Sequence, residues 1–202
     1  MNYRQITLLL IIFLISINCI GQVENTSKIV SFDNEKISYD FDASKWHAQS
    51  PAEVISYMAK SGLGTQINEK DLVAVYTYNE SPIINYPSIM VLNTKTTTDP
   101  PPMDIIEKEL GAISFSLDDI DPKKKLKDYY SEFDFQKPIL IKEKNQILME
   151  TTGRLATGET LKVRQTMFFE MRNMVVVQIS YIENRDEKYL ADFNRILETL
   201  KF

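Results

Sequence analysis

The sequence predicts an α+β sandwich around a central, mostly antiparallel sheet, and three observations carry that prediction. From Pro138 onward, apolar and β-branched runs follow one another with connections too short for crossovers, so neighbouring strands must pair antiparallel. Two capping signatures, Ser50-Pro51-Ala52-Glu53 and Asn184-Arg185-Asp186-Glu187, open helices that stand apart from the strand runs. The proline run Pro100-Pro101-Pro102 is the sharpest break in the chain, because prolines cannot donate ladder hydrogen bonds.

Taken in order, residues 28–32 and 36–41 alternate around Asp33-Asn34-Glu35 and read as an opening hairpin with Ile37, Tyr39 and Phe41 on one face. A helix follows from Pro51 to about Lys60, burying Val54, Ile55 and Met58 and ending at Gly62 or Gly64. Residues 72–78 and 88–94 are strands by their β-branched and aromatic content. After the break at 96–102, Ile105, Ile106, Leu110 and Ile113 form a helical stripe, and Asp121-Pro122 opens a short helix through about Phe133. Strands at 139–141, 147–155, 161–171 and 174–182 then turn at 156–159 and at Arg172-Asn173. The run Val175 to Tyr181 is apolar on both faces at its start, as in a strand covered on both sides. Leu190, Phe193, Leu197 and Leu200 give the last helix its apolar face.

The N-terminus has the layout of a secretory signal: Arg4, an apolar run from Ile6 to Ile17, then a short polar passage to Gly21-Gln22. The run falls short of the roughly 20 residues that span a bilayer, so cleavage before Gln22 is the leading reading and a retained anchor a lesser one. A third reading makes Cys19 an acylated lipoprotein residue, although Asn18 stands where a small residue is usual. Residues 22–202 are then a single domain, large enough to fold without staples. Cys19 is the only cysteine, so a chain starting at Gln22 has no thiol for catalysis, disulfides or metal binding.

The 202 residues carry 23 Lys and Arg against 28 Asp and Glu, a net charge of −5, and no concentrated basic face, which excludes nucleic acid as a partner. The one basic cluster, Lys123-Lys124-Lys125 with Lys127, reads as a solvated helix start. His47 is the only histidine, so a catalytic triad or a histidine-rich zinc site has at most one imidazole to draw on. Beside Trp46 it reads as the rim of a packed strand end. Asp118, Asp119 and Asp121 precede Pro122 and read as helix caps in place of a calcium loop. Gly62-Leu63-Gly64 follows a helix, so it terminates that helix and is not a phosphate loop.

Three segments carry a resemblance to the PsbP-like family of α/β/α sandwich domains and its uncharacterised bacterial relatives. They are the opening hairpin leading through Tyr39-Asp40-Phe41-Asp42-Ala43-Ser44-Lys45 into Trp46, the long hairpin around Arg172-Asn173, and the closing strand and helix over 174–202. The proline usual before the tryptophan in that family is absent here. The resemblance implies a non-catalytic accessory or binding module, with no active-site residues to carry over.

The expected function is therefore an exported, non-enzymatic binding or accessory protein of the bacterial envelope, acting through an envelope protein partner, without cofactor or metal. The alternatives are a carrier of a small hydrophobic molecule or lipid and, third, a hydrolase with acids gathered in a cleft. Contact with a membrane is expected only if Cys19 is lipidated or the signal is retained. The candidate ligand or partner surface comprises Trp46, His47, Tyr76, Tyr78, Tyr86, Pro100, Pro101 and Pro102. Tyr129 and Tyr130 add to the aromatic count, although aromatics at strand positions are more often core.

Overall fold

The computed structural model describes residues 29–34, 37–60, 69–78, 86–95, 99–100, 102–108, 130–170 and 172–202. Outside them lie the expected signal segment with Cys19, Gly62 and Gly64, Pro101, the aspartates at 118–121, the lysines at 123–127 and Tyr129.

Strands β1 (Ile29–Asn34) and β2 (Ile37–Asp42) form an antiparallel hairpin that is its own two-stranded sheet. The main sheet has eight strands: β3 (Trp46–Gln49), β4 (Leu72–Tyr78), β5 (Ser88–Lys95), β6 (Tyr130–Phe135), β7 (Ile139–Ile141), β8 (Gln146–Leu155), β9 (Thr160–Glu170) and β10 (Asn173–Ile182). Their order is β3-β4-β5-β10-β9-β8-β6, with β7 also pairing β8, and every neighbouring pair is antiparallel. Strand β10 thus closes the sheet by lying between β9 and β5, and all of its residues except Asn173 are buried.

Helices cover both faces, which makes the molecule an α+β sandwich of α/β/α type. On one face α1 (Pro51–Lys60) and α2, helical over the described residues 103–108, contribute Val54 and Ile106 to a core with Leu72, Met90, Leu92, Met167, Phe169 and Met174. On the other, α3 (Leu190–Thr199) and the hairpin bury Phe193, Ile196, Ile37, Tyr39 and Phe41 against Ile89, Val91, Val175, Val177 and Ile179. Alternation along the strands explains both cores, because odd and even positions point to opposite layers, and in β4 an irregularity between Leu72 and Ala74 switches the phase. Among the described residues no helix is long and apolar enough to cross a membrane.

Four expectations require correction. Residues 130–133, expected as the end of a helix, belong to β6: Glu132 and Asp134 alternate with Phe133 and Phe135, and this period of two finds its ladder partner in β8. The capping box at 184–187 does not form, since the corner needs a left-handed backbone at Asn184 (φ 64°) and the Asp186 carboxylate turns back to accept the Ile182 N–H at 2.9 Å. Helix α3 instead starts at Leu190, after a 3₁₀ turn at Glu187–Tyr189, and Ile196 is among its most buried residues. Ile105 is 43% exposed, because Ile106, next along the helix and about 100° around it, holds the inward position. Finally, Asn173 is already in β10 opposite Glu170, which places the turn at 171–172.

The turn at 156–159 is as expected: Gly158 sits at φ 86°, where a side chain would be strained, and its N–H closes the turn on the Leu155 carbonyl at 2.9 Å.

Candidate functional site

The face beneath α3 divides across its width. Where the hairpin and α3 lie, aromatic rings fill it. Trp46 packs on Phe41, Tyr189 and Tyr78 with ring centroids 5.8, 5.6 and 6.2 Å apart, and its indole N–H donates to Asp192 Oδ2 at 3.0 Å. Tyr76 lies 4.1 Å from the Phe41 ring, and its hydroxyl shares a 2.9 Å hydrogen bond with that of Tyr39. Burial pushes both phenol pKa values up, so both rings stay neutral.

Beyond β10, strands β9, β8 and β6 present charge on the same face. Cross-strand neighbours form three rows: Glu132, Arg154, Thr160; Asp134, Thr152, Lys162, Tyr181; and Glu150, Arg164, Ile179. Arg164 bonds Glu150 at 2.7 Å and lies 5.7 Å over the Tyr181 ring, while Lys162 bonds Glu183 at 2.6 Å. The hydrogen bond to Glu183 raises the Lys162 pKa. An open cleft of about 210 Å³ lies over the first two rows, lined by Glu132, Asp134, Thr152, Arg154 and Thr160.

The opposite face hides a polar row. Thr77, Ser88 and Ser180 are register neighbours across β4, β5 and β10, with Gln49, Gln178 and Gln165 beside them, and all six are buried. Gln49 donates to Thr77 at 2.8 Å, Gln165 to Gln178 at 2.6 Å, and Gln178 to Ser180 at 3.0 Å. With their polar atoms satisfied, these side chains tie adjacent strands in one register.

The residues singled out from sequence do not form one surface. Trp46 and Tyr76 are 4% and 5% exposed and belong to the core. His47 is half-buried at the end of the polar row, opposite Thr77, and Tyr78 is half-buried against Tyr189 with centroids 4.4 Å apart. Tyr86 is half-buried, and its carbonyl accepts from Arg185 at 3.0 Å. Pro100 (half-buried) and Pro102 (exposed) lie at the other end of β5, where Asp99 pairs with Arg172 at 3.1 Å. Strand β5 runs between the two groups at about 3.4 Å per residue, so loop and aromatics cannot share a ligand of modest size.

The cleft was missed in the sequence because Glu132 fell inside the expected helix and Asp134 just past its end. Their alternation with Phe133 and Phe135 was the signal that could have placed them on a strand. Among the described residues no three His, Cys, Asp or Glu side chains gather as a metal site.

No protein-family model matches the sequence, and no curated protein matches it. Solved structures of similar course include the cyanobacterial PsbP (CyanoP) of Synechocystis, at 8% identity and a TM-score of 0.49, covering 90% of this chain and 95% of the other. The Ran-binding protein Mog1p of Saccharomyces cerevisiae matches at 9% identity and 0.44, covering 88% and 95% of the two chains. LpqN of Mycobacterium tuberculosis, described as involved in cell envelope biogenesis, matches at 13% identity and 0.44, covering 87% and 90%. A PsbP structure thus stands among the similar folds, as the sequence resemblance suggested. Such likenesses concern the course of the chain and assign no residue a role.

Proposed function

We propose that this chain is an exported, non-enzymatic binding or accessory protein of the bacterial envelope that engages a protein partner through the open half of its sheet. One observation carries the reading: on a single face, the side chains of β6, β8 and β9 form a charged, cross-strand surface with a cleft, while the rest of that face is sealed by α3 and the hairpin. A rigid sheet holds these groups in register without a ligand, which lowers the ordering cost of binding. Export is the part of the proposal that rests on residues 1–21.

A hydrophobic carrier fits the described interior less well, because apolar side chains fill both sides of the sheet and the cleft is lined by charges and hydroxyls. The non-enzymatic part of the reading rests on the residue inventory, with one imidazole and no thiol after residue 19.

The test is photo-crosslinking in cells that express the whole chain with its N-terminal segment. A crosslinker at Thr160, beside the cleft, is expected to capture one protein adduct that excess unlabelled protein competes away. A crosslinker at Glu53, exposed on α1 across the sheet, is expected not to capture it. Equal capture from both positions, or lipid adducts alone, rejects the reading.

A further inference from the structure

Resting on that reading, we infer that the cleft over β6, β8 and the start of β9 receives a basic side chain, lysine or arginine, from the partner. The charge balance of the face carries the inference. Lys162 is matched by Glu183 and Arg164 by Glu150, while Arg185 at the adjoining corner is matched by Asp186 at 2.9 Å and Glu159 at 3.1 Å. Glu132 and Asp134 form no ion pair among the described residues, are exposed, and line the same cleft two residues apart on one strand. Arg154, the cross-strand neighbour of Glu132, is the one cation among the described residues that line the cleft, so two carboxylates face one guanidinium there.

The cleft's shape agrees with that chemistry. Its volume of about 210 Å³ leaves room for the end of one long side chain but not for a folded element. The hydroxyls of Thr152 and Thr160 can accept hydrogen bonds from a guanidinium or ammonium that the carboxylates attract. The chain's net charge of −5 favours the approach of a cationic partner.

The experiment titrates the whole protein with two short peptides, one alternating arginine with glycine and one alternating glutamate with glycine, and follows backbone amide shifts. The arginine peptide is expected to move the amides of Thr152 and Thr160, with affinity falling as salt rises. The double variant Glu132→Gln, Asp134→Asn is expected to weaken it about tenfold or more. Both substitutions preserve shape at exposed positions, and an otherwise unchanged amide spectrum verifies the fold. Equal binding of the glutamate peptide, unchanged affinity in the double variant, or shifts confined to other surfaces overturns the inference. Crosslinking separates the two levels. Capture from Thr160 that persists in the double variant rejects the basic side chain and leaves the docking face standing, whereas loss of selective capture from the wild-type chain removes both.

Discussion

One row of cross-strand neighbours, Ile179, Arg164 and Glu150, passes from core to ion pair in two strand spacings of about 4.8 Å each. On the β10 side the face belongs to Trp46, Tyr76, Phe193 and Ile196; on the β9 side it belongs to Lys162, Arg164 and Glu150. Strand β9 shows the same change along its length, from Lys162 and Arg164 to Thr166 and Phe168, with Phe168 packed at 5.8 Å on Phe202. The alternation of the backbone is identical in both halves. What differs among the described residues is the layer above: the sheet face is apolar beneath α3 and the hairpin and charged beyond them.

The comparison is broken most severely on the covered side. Trp46→Ala removes an indole packed on three rings and strands Asp192, and is expected to cost about 3–5 kcal/mol in urea unfolding. A loss under about 1 kcal/mol would show that the aromatic half is loosely held.

Next comes the buried phenol pair. Tyr39→Phe and Tyr76→Phe each remove the hydrogen bond between the two hydroxyls, and each is expected to cost about 1–2 kcal/mol, with a favourable coupling in the double-mutant cycle. The pair also predicts alkaline behaviour. Burial raises both phenol pKa values in the fold, while the unfolded chain keeps them near ~10. Below that pH neither state is ionised and the contribution is complete. Above it the unfolded chain releases protons that the folded chain retains, so stability falls as pH rises. Unfolding measured from about pH 9 to about pH 11 should show a steeper decline in the wild type than in the double phenylalanine variant.

The open half should respond weakly. Glu150→Gln breaks the bond to a partly exposed Arg164 and is expected to cost less than about 1 kcal/mol, shrinking further at high salt. Smallest of all, Glu132→Gln with Asp134→Asn should alter stability by no more than about 0.5 kcal/mol in either direction. A large stability effect at those two positions would mean that the cleft is a structural feature of the fold.

Much of the architecture was legible because long strands and amphipathic helices carry their period in the residues. The meander from 139 to 182 follows directly from β-branched runs and short turns, and Val54 and Phe193 were correctly assigned to buried helix faces. The site was less legible. Thr152 and Arg154 lay in an expected strand and Thr160 just before the next, but the cleft also needs Glu132 and Asp134, which reach it only through β6 pairing with β8. Asp121-Pro122 looked like a helix start, and that local signal obscured the strand beginning at Tyr130. Asp186 misled for a related reason. A carboxylate suited to capping a helix serves equally well to close a corner when it can reach the Ile182 N–H.

The opening hairpin docks on the last turn of α3 and the residues just after it. Ser38 exchanges two backbone hydrogen bonds with Lys201, each 2.8 Å, and the Asp40 N–H donates to the Thr199 hydroxyl across 159 residues at 2.8 Å. A ribosome makes β2 early and its partner late. Until residue 201 has emerged, Ile37, Tyr39 and Phe41 lack the helix that buries them, so the nascent chain cannot complete this layer step by step. Order of synthesis and order of assembly are thereby uncoupled, because this layer closes only once residues 199–201 have been made.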